Sequence, residues 1–139
     1  MSPWSILLVL LGALQIANAL WMLIAPESWY AVLPAGVPDT GPLNVHFVRD
    51  IGCAFLATGF ALVWAAATSK VAVRFACIGV ASVFAVGHGV VHLLDLSQGA
   101  LGPRHWMLDL PSVFVPALLL LALTLHSARE AARPERRSP

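Results

Sequence analysis

Charge is what this sequence has least of. Only 11% of its 139 residues are Asp, Glu, Lys or Arg, against roughly 25% in an average globular protein. A water-soluble domain of this length needs more charge than that to cover its surface. The net charge of +1 offers no basic face, which excludes nucleic acid as a partner. Cysteine is scarce as well. Cys53 and Cys77 both fall inside apolar runs and, read on helices at about 1.5 Å of rise per residue, differ in depth by roughly 5–10 Å. Two buried free thiols are therefore expected rather than a disulfide, which needs Cα atoms within about 7 Å. No Gly-rich phosphate loop is present. Ser82, Ser97 and Ser112 carry no motif around them, and neither cysteine has a base partner, so nucleophilic catalysis is poorly supported.

Apolar residues are what the chain has in quantity: 59% of it is hydrophobic and the mean hydropathy is +0.82. Lipid as the solvent for most of the exterior accounts for both excess and shortage. Four apolar runs, about 4–25, 45–67, 71–96 and 106–125, each approach the ~20 residues that a helix needs to cross a ~30 Å hydrocarbon core. A crossing segment must satisfy its own backbone, and the alternation of a membrane β-barrel is absent. The sequence predicts an all-α integral membrane four-helix bundle, one domain over 1–127, followed by a disordered tail over 128–139. Ile16-Ala17-Asn18-Ala19 has the small residues of a signal-peptidase site. No Lys or Arg precedes it, however, and the apolar run continues to Ile24, so a retained helix is the better reading.

Lys70 lies between the second and third runs and Arg74 in the first turn of the third, and Arg129, Arg133, Arg136 and Arg137 lie in the tail. Positive charge marks the cytoplasmic side, so both termini are expected there. On the opposite side, Glu27 to Leu33 reads as a short interfacial helix with Trp29 and Tyr30 at headgroup level. Pro111 and Pro116 should kink the fourth helix or delay its start.

With that topology, four of the five histidines converge on the non-cytoplasmic end. His46, Arg49 and Asp50 open the second helix, His88, His92 and Asp95 close the third, and His105 and Asp109 open the fourth. Gln15 and Asn18 come from the first. Two His-x3-Asp pairs follow Gly-Pro segments, at His46/Asp50 and His105/Asp109, as a short internal repeat. Residues four apart share a helix face, and the face of His46 and Asp50 continues through Cys53, Ala57, Ala61 and Ala65, small enough for close helix approach. Ionisable groups inside a membrane are costly and default to a functional reading.

His-x3-His and His-x3-Asp suit metal coordination. The expected centre is His46, Asp50, His88 and His92 around a transition metal (Fe, Cu, Zn or Mn). Arg49, Asp95, Asp109, Asn18 and Gln15 would support it or form ion pairs. Such a protein would serve as an oxidoreductase or an accessory subunit of one. Haem b is the alternative, held by His88 or His92 with His46 or His105. A further alternative is a structural or proton-coupled role, in which the His/Asp/Arg cluster titrates or only bridges helices. The bland reading of each residue also stands: Asp109 as a helix cap before Pro111, His105 as an interfacial residue, Gln15 and Asn18 as interhelical hydrogen-bond partners. Besides the lipid bilayer, the expected partners are further copies of the chain or a larger membrane complex.

Pro26-Glu27-Ser28-Trp29-Tyr30, followed by Gly41-Pro42-Leu43-Asn44-Val45-His46-Phe47-Val48-Arg49-Asp50-Ile51-Gly52, resembles the signature of a family of small bacterial four-helix membrane proteins recorded as a domain of unknown function. The resemblance extends to about Asp95, with His-Phe-Val-Arg-Asp its most specific part. It implies four helices in a bacterial inner membrane and no activity, substrate or ligand.

Overall fold

The structure, a computed structural model, describes residues 2–132. The elements in chain order are α1 (Pro3–Ile24), α2 (Pro26–Val32), a 3-10 turn (Val37–Thr40), α3 (Val45–Ala67), α4 (Val71–Ser97), α5 (His105–Asp109), a π-turn (Leu110–Phe114) and α6 (Val115–Ala131). The last three run on as one helix, so among the described residues four helices are long and apolar enough to cross a membrane. Helix α6 reaches Ala131, so residues 128–131 of the expected disordered tail are helical. Residues 133–139 lie outside the described residues.

Local chemistry sets the boundaries. Ser2 caps α1 by accepting the Ser5 amide, and Pro3 occupies the first turn, where a missing N–H costs nothing. Pro26 forces the break between α1 and α2, since it has no amide to continue the ladder and restricts the residue before it. Asn44 caps α3 through the Phe47 amide. Helix α4 ends in a Schellman motif: Gly99 adopts φ +73°, and the Ala100 and Gly99 amides return to the Asp95 and Leu96 carbonyls.

Leu8 of α1, Leu62 and Ala65 of α3, Ile78 and Ala81 of α4, and Leu120 and Leu123 of α6 form one buried cluster near the chain ends. Trp4 stacks on His126 there, with ring centroids 5.4 Å apart. The tightest contact is between α1 and α3. A Cβ on Gly59 would fall 2.9 Å from the Gly12 carbonyl oxygen, and one on Gly12 would fall 2.8 Å from that of Gly59. The buried residues of α3 are Val48, Gly52, Thr58, Gly59, Leu62 and Ala65, so of the predicted face running from His46 and Asp50 through Cys53, Ala57, Ala61 and Ala65 only its last residue is enclosed. Glycine allows closer backbone approach than alanine, and it decided which face turned inward. Cys53 is accordingly exposed, and both cysteines are free thiols.

Pro111 and Pro116 do not delay the start of the last helix, which begins at His105. The helix instead opens into a π-turn in which the Val115 amide bonds the Leu110 carbonyl. Pro116 brings no N–H to the turn before it, and widening by one residue accommodates that loss.

Candidate functional site

The polar end is organised around Asp109. Its side chain is 0% exposed, and its Oδ2 lies 2.9 Å from Nδ1 of His92 on α4. One turn earlier, His105 is 1% exposed and sets Nε2 3.0 Å from Asp39 Oδ2 in the 3-10 turn. Arg104 also reaches that oxygen, at 3.0 Å. His105 can pack so deeply because Gly36 has no side chain: a Cβ there would sit 2.9 Å from the imidazole Cε1. Gly36 also adopts φ +67°, a left-handed conformation that glycine takes without strain. Tyr30 pins the same connection by donating its hydroxyl to the Gly41 carbonyl at 2.7 Å. His88 completes the series, its ring edge-on to His92 with centroids 4.6 Å apart.

Two atoms at the centre carry no hydrogen bond. His105 Nδ1 and Asp109 Oδ1 are both buried and unpartnered, and they face each other at 4.0 Å. Asp39, half exposed and ion-paired with Arg104, is a carboxylate that accepts, so His105 Nε2 must donate to it. A neutral imidazole then has only a lone pair at Nδ1. Two buried acceptors facing each other are unfavourable. A proton on either atom, followed by closure of about 1 Å, makes a hydrogen bond of normal length.

The expected set of His46, Asp50, His88 and His92 is not assembled. His46 and Asp50 pair with each other at 3.4 Å, but their side chains are 90% and 61% exposed, on the face of α3 turned away from the bundle. Among the described residues, no three His, Cys, Asp or Glu side chains are arranged to hold a metal ion. His88 and His92 are brought together, with Asp109 and His105 as their neighbours rather than His46 and Asp50. Asp109 caps no helix through its side chain, and His105 is buried within the protein. The repeat is therefore a likeness of sequence only, with one copy exposed and the other enclosed.

The remaining residues act locally. Arg49 Nε donates to the Leu23 carbonyl at 3.2 Å, holding α3 to the end of α1. Gln15 Oε1 accepts the Thr58 hydroxyl at 2.5 Å. Asp95 serves through its backbone carbonyl, at the α4 terminus. Asn18 Oδ1 accepts the Trp29 indole N–H at 2.9 Å, tying α2 to α1. Asn18→Leu is expected to free that indole at a cost of about 1 kcal/mol. With 5-fluorotryptophan incorporated, the Trp29 19F resonance should move and broaden while those of Trp4 and Trp64 stay in place; an unmoved Trp29 signal would mean that the bond does not hold α2.

Asp39 and Arg104 were not legible as site residues. The available signal was that they are opposite charges in the two short connections of one end.

The network lies between two spaces. A cleft of about 500 Å³ borders Asp39 and Arg104. A cavity of about 220 Å³ lies deeper, between α1 and the π-turn, with His88 in its wall. Fold and site define a class: an all-helical bundle with four apolar helices of membrane-crossing length, enclosing an imidazole–carboxylate network at one end. No family model, curated protein or solved structure matches the chain.

Proposed function

We propose that this is a proton-exchanging membrane protein, in which Asp39, His105, Asp109 and His92 pass and store a proton between the loop surface and His88. The observation that carries this reading is the facing pair of His105 Nδ1 and Asp109 Oδ1, buried and unpartnered at 4.0 Å. Such a pair has two arrangements. With the proton it closes as a hydrogen bond, and without it the two acceptors stand apart. Histidine is suited to the task because its charge changes near neutral pH.

The relay serves one side of the membrane. Beyond His88, α4 and α6 offer no further acid or base until Arg74 and His126, so the reading is of a proton store opening to one face rather than a transmembrane path. The cluster of Lys70, Arg74 and Arg129 favours that face being non-cytoplasmic, with both termini in the cytoplasm of a bacterial inner membrane.

The test is 15N NMR of histidine-labelled protein in detergent from about pH 4 to about pH 9, with exposed His46 as internal reference. The signals of His92 and His105 are expected to move in coupled steps, and Asp109→Asn should split them into independent titrations. Two fixed tautomers across the whole range would reduce the network to a structural clamp. Stoichiometric metal that disappears in His92→Ala would replace the relay with a metal centre.

A further inference from the structure

The cavity beside His88 has the features of a ligand site, and they are distinct from those of the relay. Its walls come from Gln15 of α1, Phe55 of α3, Phe84 and His88 of α4, and Ser112 in the π-turn. No Asp, Glu, Lys or Arg lines it, so a charged guest would lose its hydration without compensation. Phe55 meets Phe84 edge-on at 5.0 Å and 85°, and Phe84 lies parallel to the His88 ring within 3°. These flat surfaces favour a flat guest. The volume is about 220 Å³, and a cavity of about 150 Å³ suffices for benzene. One substituted ring fits.

Of the polar side chains in the walls, Gln15 and His88 have hydrogen-bonding capacity to spare, whereas the Ser112 hydroxyl already donates to the Leu108 carbonyl. Gln15 is oriented by the Thr58 hydroxyl on its Oε1, which leaves its amide N–H groups available. The His88 ring stacks and packs without taking a side-chain hydrogen bond. The rim includes Leu14, one of the most exposed leucines of the chain, so the entrance faces what would be lipid. The π-turn supplies the opposite wall, a feature frequently found at functional sites.

We infer that this cavity binds a small, neutral, lipid-soluble ring compound of the phenol class, entering between α1 and the π-turn and placing its hydroxyl against His88 and Gln15. The inference rests on the relay reading only for its purpose, since a hydroxyl at His88 would stand at the inner end of the proton store. Binding itself needs only the cavity.

The experiment uses purified full-length protein and two probes, 4-fluorophenol and fluorobenzene, followed by 19F NMR. Saturable 4-fluorophenol binding is expected, with fluorobenzene about tenfold weaker, the worth of one hydrogen bond. His88→Leu should weaken 4-fluorophenol about tenfold and leave fluorobenzene unchanged. Ala85→Phe or Ser112→Phe, which fill the space from opposite walls, should abolish both, each variant checked for native helix content. Non-saturable partition, equal affinity for the two probes, or binding that survives both filling variants would overturn the assignment. Asp109→Asn separates the two readings, because it should alter the histidine titration yet leave 4-fluorophenol affinity within about twofold. A failed relay with intact binding, or the reverse, thus identifies which reading fails.

Discussion

Gly59→Ala is expected to lower the stability of the bundle by about 2 kcal/mol, and Gly79→Ala, the same chemical change on α4, is expected to cost nothing. A Cβ at Gly59 meets Ile16 Cγ1 at 2.8 Å, the Gly12 carbonyl oxygen at 2.9 Å and the Ile16 amide nitrogen at 3.1 Å, whereas one at Gly79 meets nothing within 4 Å. Two of the three obstacles at Gly59 are backbone, which cannot rotate away. Helices α1 and α3 must therefore separate along their length and give up dispersion contacts, and overpacking of this kind costs roughly 1–3 kcal/mol. At Gly79 the added methyl improves helix propensity by about 0.5–1 kcal/mol. Gly59→Leu should exceed what the fold tolerates and leave little folded protein. Thermal or denaturant unfolding in a single detergent measures the pair. Equal midpoints for the two alanine variants would show that α1 and α3 do not pack backbone to backbone.

The second large contrast is between the two His-x3-Asp pairs. Asp109→Ala is expected to cost about 3 kcal/mol, because it strips a buried acceptor from His92 and leaves imidazole polarity enclosed without a partner. Asp50→Ala should fall within about 0.5 kcal/mol, the range of an exposed pair. The structural difference is plain: 0% exposure against 61%. Asp109→Asn keeps an oxygen and the side-chain volume, so its loss should be smaller than that of the alanine variant, separating packing from charge. If Asp50→Ala proved the more damaging change, the enclosed network would not be the organising feature of this end.

Much of the fold was legible because its causes are local or statistical. Four apolar runs dictate four helices when lipid is the solvent, and Pro26 and Asn44 mark boundaries by chemistry that operates within a turn. Even α2 was readable, from its aromatic residues following a proline.

The site was legible only in outline. Which end would hold the histidines followed from counting residues along each helix. Which of them would meet did not, since a helix offers several plausible faces and the choice among them belongs to the neighbour. The alanine face of α3 was the natural expectation, yet glycine at positions 12, 52 and 59 permits a closer approach than alanine. That approach rotated His46 and Asp50 to the outside. His105 and Asp109 were drawn inward by partners remote in sequence: Asp39 is 66 residues from His105, and the space for the imidazole depends on a glycine in that same distant loop. The sequence by itself determined the class of solvent, the number of helices and the end where polar groups collect, because each follows from chemistry within one segment. Only the tertiary structure decided which pair is enclosed and which exposed, because that depends on how closely separate backbones can approach.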